Sequence, residues 1–435
     1  MQVILLCAGQ SSRMKPMSDK VLLEFCGKTL LEHQIHTISS AKIFDFVIVG
    51  NKNNLSKIQE ICKKIQKEKN NFTFEFTEQE NQANGMKGAL EVCKKFIKKS
   101  ALVVNSNDIV EKDVFFKIKE LSQKNTYKGI ICGKLVKSYF PGGYLSINNN
   151  NELLDIVEKP KEGTEPSNLI NLVIHYFQNF HEFLNIVENL SNSTDDAYEK
   201  ALKIYSQNEK CFVYKYDGFW QAIKYPWHIL DVQNYFLSQQ KEFISPNANI
   251  ANSATIKGKN IVIEDNVKIF ENAVIVGPCY IGKNTVIANN SLVRDSIIGP
   301  GCIVGFQTEI ARSFLRKKIW THSNYIGDSI IDENVSFGAG TVTGNLRLDE
   351  KEISIEIKKE KINTHKTKMG TIIGSGVRIG VQCSMNPGIK IGEKSFISSG
   401  VILTKNVDKQ KFIYAKQELV EKDNLSEVSV EKRSF

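Results

Sequence analysis

The segment IEDNVKIFENAVIVGPCYIGKNTVIANNSLV, residues 263–293, carries a period of six. Ile263, Ile269, Ile275, Ile281, Ile287 and Val293 recur without a slip, and Val267, Ala273, Cys279, Thr285 and Ser291, four residues after the first five, are all small or β-branched. Neither a helix, with about 3.6 residues per turn, nor a strand, with alternating faces, repeats that way. A hexapeptide β-helix does: each short strand sends one aliphatic side chain into a shared interior, and neighbouring coils cover it. A second unbroken run is Ile373, Ile379, Met385, Ile391, Ile397 and Leu403, and shorter runs (Ile298, Val304, Ile310; Ile331, Phe337, Thr343) join the two in shifted register. The solenoid is expected over 246–408, with a charged C-terminal tail over 409–435. Two interruptions, 311–325 and 344–371, stand out because excursions from a rigid solenoid commonly carry function.

Residues 1–240 have a different grain. Short apolar runs at 3–8, 46–49, 72–76 and 101–104 alternate with amphipathic stretches at 30–39, 55–67, 87–96 and 114–121. Strand–helix alternation at this spacing predicts a parallel, doubly wound α/β sheet, with ligands beyond the carboxyl ends of its strands. A chain of 435 residues divided in this way holds two domains.

The net charge of +9 comes with no stripe of interleaved basic and aromatic residues, so no nucleic-acid partner is expected. Clusters such as 94–95, 98–99 and 358–361 read as solvated faces; positive charge equally suits sugar phosphates and nucleotides. None of the nine cysteines lies in a CxxC pair, which points to reduced thiols rather than zinc or a disulfide framework. The apolar start is too short for a signal sequence or a membrane span, and a cytoplasmic protein with no membrane partner is expected.

The first strand runs directly into Leu5-Leu6-Cys7-Ala8-Gly9-Gln10-Ser11-Ser12-Arg13-Met14. A glycine at such a turn lets backbone N–H groups approach phosphate oxygens, and small hydroxyl residues keep the path open. Arg13 and Lys20 add the fixed positive charge that phosphoryl transfer needs. Past Lys20 come Gly27-Lys28-Thr29-Leu30-Leu31, a segment from Gln79 through Gly85, Asn105-Ser106-Asn107-Asp108, and Glu158-Lys159-Pro160. In this order the motifs resemble those of the sugar-1-phosphate nucleotidyltransferases over about 1–236. The resemblance implies a Rossmann-like domain in which a sugar phosphate attacks a nucleotide α-phosphate and releases pyrophosphate. By position it implies Arg13 and Lys20 as catalytic cations, and Gly9, Gln10, Ser11, Ser12, Gln79 and Gly85 at the nucleotide. It further implies Gly143, Glu158 and Asn171 at the sugar and Asp108 on Mg²⁺.

One departure matters. The family ends this domain with an Asp or Asn as second metal ligand, and here Ala222 stands at that position, with Lys224 where a glycine is usual and Val173 replacing another. Asp217 is a weak substitute, whereas Lys224 could replace part of the metal's charge. His33, His36 and His175 have no partners at ligand spacing and read as surface or core residues; Trp220 and Trp227 read as packing the last helix.

In the solenoid, Thr321-His322-Ser323-Asn324-Tyr325-Ile326-Gly327-Asp328 is followed by Phe337-Gly338-Ala339-Gly340-Thr341 and Asn345. An amino sugar attacking a thioester needs a base with a pKa near 7, which histidine supplies, and donors for the oxyanion. These segments resemble the acetyltransferase half of the glucosamine-1-phosphate acetyltransferase/uridylyltransferases, including the archaeal ones, over about 246–407. That resemblance implies a left-handed parallel β-helix using acetyl-CoA as co-substrate. His322 would be the general base, with Tyr325, Asn345 and Arg312 at the sugar phosphate and Lys351 and Lys368 at the acyl-CoA phosphates. It also implies a homotrimer. The loop before His322 is one residue shorter than the family's. A bifunctional enzyme is the leading expectation; its rivals are a nucleotidyltransferase whose solenoid only oligomerises, and a sugar-nucleotide-binding scaffold.

Overall fold

The computed structural model describes residues 1–190 and 196–427. In the N-terminal domain, strands Thr73–Glu78, Asp45–Gly50, Gln2–Leu6 and Ala101–Asn105 lie side by side in parallel. Every residue of Gln2–Leu6 is buried, as expected of a strand covered by helices on both faces. Beyond Ala101–Asn105 the sheet becomes mixed, with Cys211–Tyr216 parallel to Gly129–Leu135. Leu169–Phe177 runs antiparallel to that strand and to Gly129–Leu135, and Gly143–Ile147 pairs antiparallel with Leu153–Glu158. The parallel, doubly wound sheet expected from the sequence is thus present, with antiparallel strands added in its second half. Alternation with helices, which carried that expectation, ends after the helix Asp113–Gln123.

From Phe243–Ile244 to Phe412–Ile413 the chain winds into three parallel sheets of 8, 9 and 8 strands, forming a left-handed β-helix. Ile263, Ile269, Ile275, Ile281, Ile287 and Val293 all lie in one continuous core, each at most 1% exposed. The corners need backbone in the left-handed region, and Asn266, Asn272, Asn284 and Asn290 supply it with φ between 58° and 59°; asparagine tolerates that region better than most residues. The strand pair Phe396–Ile397/Phe412–Ile413 carries the solenoid to 413. Residues 414–427 form no strand or helix, and 428–435 of the charged tail lie outside the described residues.

The excursion expected at 311–325 is absent. Strands Glu309–Ala311, Phe314–Leu315, Ile319–Trp320 and Tyr325–Gly327 continue the three sheets in register. What looked like a break is a shift of the core positions, from Ile310 to Leu315 to Ile319, as corners shorten. The second interruption is real. It carries an antiparallel hairpin, Ser354–Ile357 with Glu360–Asn363.

The two domains share a core. Met14, Met17, Phe25, Ile223 and Trp227 pack with Tyr280, Ile297, Phe314, Ile330 and Ile372, which point outward from one face of the solenoid. At its edge Arg316 Nη1 donates to Asp332 Oδ1 (2.5 Å) and to Ser18 Oγ (2.6 Å), while Asp332 Oδ2 accepts from the Ser18 amide (2.8 Å). The Arg316 and Asp332 side chains are 8% and 2% exposed. Removing one partner of such a buried pair strands the other charge, typically at about 3–5 kcal/mol. Asp332→Ala is therefore expected to lower the urea midpoint of unfolding by that equivalent; an unchanged midpoint would show that Arg316 finds another partner.

Candidate active site

Two adjoining cavities open at the carboxyl ends of the parallel strands, where an α/β sheet places its ligands. The first, about 540 Å³, is lined among others by Arg13, Lys20, Asp108, Gly143, Glu158 and Asn171. The second, about 670 Å³, is lined by Gly9, Gln10, Ser12, Gln79, Gly85 and Met86 among others. The residues expected at nucleotide and sugar thus segregate into neighbouring chambers. Ser11 is the exception. Its backbone is left-handed (φ 53°), its hydroxyl donates to Asp19 Oδ1 (3.2 Å) and accepts from the Lys20 amide (3.4 Å), and it faces a cavity on the other side of the loop. Ser11 braces the turn that presents Lys20 and does not line the cleft.

Gln79 is held by its amide nitrogen, which donates to the Gly85 carbonyl (2.8 Å), tying the strand end to the following helix. A side chain at Gly143 would crowd the neighbouring Glu158: a Cβ there would lie 3.1 Å from its Oε2. His175, expected to be surface or core, is fully buried. Its Nε2 donates to Asn171 Oδ1 (2.8 Å), and its Nδ1 accepts from the Tyr198 hydroxyl (2.6 Å). Burial drives its pKa down to about 3, so the ring is neutral and fixes the Asn171 amide toward the cavity.

The strand Trp220–Ala222 pairs antiparallel with Asp108–Val110 and sets Ala222 directly opposite Asp108. Both line the first cavity, so the substitution read in the sequence does fall beside the expected metal ligand. Trp220, expected to pack a helix, instead donates its indole N–H to Asp108 Oδ1 (3.0 Å). Lys224 enters the same cavity, its ammonium 3.7 Å from the Phe140 ring centroid and bonded to the Pro141 carbonyl (2.5 Å). Among the described residues no three His, Cys, Asp or Glu side chains cluster as a metal site. Mg²⁺ nevertheless takes most of its six oxygens from phosphates and water. Asp108 and Asn107 Oδ1, a buried oxygen without a hydrogen-bond partner, fit one such ion. Asn107 and Trp220 were not foreseen as site residues, although Asn107 adjoins Asp108 and Trp220 lies two residues from Ala222; that the Trp220 indole reaches Asp108 follows only from the strand pairing.

On the solenoid, His322 is exposed at the corner between Ile319–Trp320 and Tyr325–Gly327. Its amide donates to Asn324 Oδ1 (2.5 Å), and Asn324 Nδ2 donates to the carbonyls of Gly338 (2.8 Å) and Thr341 (3.0 Å) on the next coil. That is why the histidine segment and the glycine-rich segment occur together. At the other end of the same strand, Asn345 Nδ2 donates to the Tyr325 hydroxyl (3.1 Å) and to Asp328 Oδ2 (2.5 Å). Asp328 also accepts both Nε and Nη2 of Arg312, each at 2.7 Å. Arg312, Tyr325 and Asn345 form one cluster; the His322 ring makes no hydrogen bond to it or to any other described residue. Lys368 bridges to Leu346 beside Asn345, whereas Lys351, also exposed, follows the Arg347–Asp349 pair.

A family model described as nucleotidyl transferase matches residues 2–234, and the chain belongs to that family and is a transferase. Residues 238–363 match a model described as the GMPPB C-terminal domain. The "Bifunctional protein GlmU" of Methanococcus vannielii is 32% identical, over 97% of this chain and 99% of its own. The "Bifunctional sugar-1-phosphate nucleotidylyltransferase/acetyltransferase" of Sulfurisphaera tokodaii is 30% identical, over 94% and 98%. The GlmU protein of Clostridium tetani is 24% identical, over 97% of both chains.

Burial lowers Lys20 and Lys224 from 10.5 to about 8, against the opposing pull of nearby carboxylates, Asp19 then Asp108 for Lys20 and Asp108 then Glu158 for Lys224. Burial raises the Asp108 carboxyl, opposed first by the Trp220 hydrogen bond. A lysine whose pKa is depressed loses its proton as pH rises through that value. Affinity for a nucleoside triphosphate should therefore fall between pH 7 and 9, by about tenfold for each lysine that must be reprotonated on binding. Calorimetry across that range checks this. Lys20→Arg, which keeps its charge, should flatten the profile; a flat profile in the unaltered enzyme would refute it.

Proposed function

We propose that the chain acetylates glucosamine-1-phosphate with acetyl-CoA and couples the product to UTP, giving UDP-N-acetylglucosamine and pyrophosphate. The observation that carries this reading is the two-chambered cationic cleft at one end of a chain whose other end presents His322, Tyr325 and Asn345. A relative named for both activities over nearly the whole length supports it.

In the front domain an anionic oxygen of the sugar phosphate attacks the α-phosphorus. The bond from that phosphorus to the bridging oxygen breaks, and pyrophosphate leaves with the electron pair. No proton need move, so catalysis consists of alignment and charge. Arg13 and Lys20 neutralise the phosphates, Gly9, Gln10 and Ser12 line their path, and Gln79 and Gly85 meet the base. Gly143, Glu158 and Asn171 hold the sugar. Asp108 and Asn107 would hold Mg²⁺, which supplies charge neutralisation at the phosphates. Lys224 adds positive charge on the side where Ala222 offers no ligand.

In the solenoid the sugar amine attacks the thioester carbonyl while His322 accepts its proton. The carbon–sulfur bond breaks, and the CoA thiolate takes that proton from the imidazolium. Tyr325 and Asn345 orient the amino sugar. Arg312, with three of its five N–H groups left over from the Asp328 pair, binds its phosphate, and Lys351 and Lys368 lie toward the CoA phosphates. An imidazole on an outer corner needs a second wall to exclude water, and a neighbouring solenoid in a homotrimer provides it. Outward aliphatics such as Val342 (39% exposed) and Ile402 (69%) suit such packing. No helix among the described residues is long and apolar enough to cross a membrane. The cytoplasm, where UTP and acetyl-CoA are available, is the compartment this reading requires.

Two assays test it: pyrophosphate release from UTP with N-acetylglucosamine-1-phosphate, and free CoA thiol from acetyl-CoA with glucosamine-1-phosphate. His322→Ala is expected to lower thiol release by about 10²–10⁴-fold and to spare pyrophosphate release. Asp108→Asn should do the reverse, by about 10²-fold or more. If the unaltered enzyme released neither product with Mg²⁺ present, the chain would be a scaffold instead.

A further inference from the structure

The hairpin Ser354–Ile357/Glu360–Asn363 leaves the solenoid with one face in solvent and the other laid against the front domain. Ile353, just ahead of its first strand, and Ile355 and Ile357 along it alternate on one face, are at most 4% exposed, and join Met14, Ile223 and Trp227 in the core between the domains. The strand is thereby laid against the front domain. The turn at its tip, Lys358-Lys359, has both residues at positive φ (52° and 71°), which folds the chain back tightly. Ile357, Lys358, Glu360 and Ile362 form part of the wall of the first cavity, and Lys358 also lines the second.

Only Asn105, Asn107 and Lys358, among the described residues, line both chambers. If the base occupies one chamber and the sugar the other, as the function proposed above requires, the reacting phosphates lie at that junction. Two of the three shared residues are neutral amides; the third is a cation. Among the described residues the Lys358 ammonium pairs with no carboxylate, and Glu360 lines the first chamber alone. A charge left unpaired beside a junction of two polyanions has substrate phosphate as its natural partner.

We propose that Lys358 is a phosphate-binding residue of the nucleotidyl-transfer site, contributed by the acetyl-transfer half of the same chain. It contacts phosphate oxygens where the nucleotide meets the sugar phosphate, so the front site is complete only with the solenoid's hairpin in place. The lysine cluster at 358–361, read from sequence as a solvated face, is divided in function: Lys358 belongs to the cleft, while Lys359 and Lys361 line neither chamber.

This inference rests on the nucleotidyltransferase reading, and calorimetric binding of UTP to the full-length protein, which needs no turnover, separates the two. Lys358→Gln is expected to weaken UTP binding by about tenfold, Lys358→Arg by no more than about threefold, and Lys359→Gln not measurably. In the pyrophosphate assay Lys358→Gln should raise KM far more than it lowers kcat. Unaltered melting temperatures would show that the hairpin still folds. Equal UTP affinity for Lys358→Gln and the unaltered protein would overturn the proposal, as would a loss that Lys359→Gln reproduces. An unaltered protein that binds UTP but releases no pyrophosphate would sink the functional reading and leave the Lys358 comparison standing.

Discussion

The burial of one solenoid face under the front domain is the constraint on which the rest depends. Each strand turns one aliphatic side chain inward, and a residue before it on an uncovered face would meet water. Here Tyr280, Ile297, Phe314, Ile330 and Ile372 precede inward residues and are at most 3% exposed. Their partners are Met14 and Met17, on the loop that carries Arg13 and Lys20, and Ile223 and Trp227, which flank Lys224. The segments bearing the cleft's cations are therefore backed by a rigid rod. The link between the domains is also short: the helix His228–Gln239 ends a few residues before Phe243–Ile244, and Gln240 donates to the carbonyls of Asn260 (2.6 Å) and Cys279 (2.8 Å). Neither domain can rotate far without tearing this seam.

The electrostatics of the cleft follow from that backing. Relative to the pattern it resembles, the site lacks a carboxylate at Ala222 and gains an ammonium at Lys224. Left in water, an added lysine would be a screened charge of little consequence. Buried beside Asp108 and Glu158, Lys224 has its pKa drawn down to about 8, as has Lys20, and each is far nearer to losing its proton than a free lysine. A cleft of such cations pays a desolvation penalty while empty and recovers it when phosphates enter. Polyanion binding and protonation are thus coupled, and a second metal-bound carboxylate is not needed to balance the charge.

Much of this was legible in the sequence. The period of six located the solenoid and its core because every coil obeys the same steric rule, and one inward residue per strand is a strong pattern even in a single chain. It failed at 311–325, where shortened corners shifted the phase and looked like a loop. Motif order brought together the residues that line the chambers, Gly9 and Asp108 just past the strands Gln2–Leu6 and Ala101–Asn105 and Asn171 within Leu169–Phe177. Ser11 was misassigned because a hydroxyl in a phosphate loop and a hydroxyl bracing that loop are indistinguishable in sequence. Trp220 was missed because it acts through Asp108, 112 residues away, so spacing carries no trace of it; Asn107 and His175 lie close in sequence to Asp108 and Asn171, but nothing in their spacing says which way their side chains turn. One signal was available and unread. The doublets Tyr280-Ile281, Ile297-Ile298, Phe314-Leu315, Ile330-Ile331 and Ile372-Ile373 put an apolar residue outside as well as inside on a single face, which marks that face as covered.

The hairpin shows what that cover makes possible. A two-stranded ribbon is marginal in water, and the 344–371 insertion has too much charge to bury itself. Three isoleucines on one face change the balance, each worth at most about 1.5–3 kcal/mol when removed from water. That gain exists only against the front domain, so the ribbon's order depends on the same seam as the cleft's backing. Its root adjoins Asn345, whose carbonyl accepts from the Met369 amide (2.9 Å), and its tip adjoins Asn105 and Asn107. One insertion therefore borders both candidate sites. A solenoid that served only to oligomerise would have no reason to send a charged turn into its neighbour's cleft, or to bury the strand that holds it there.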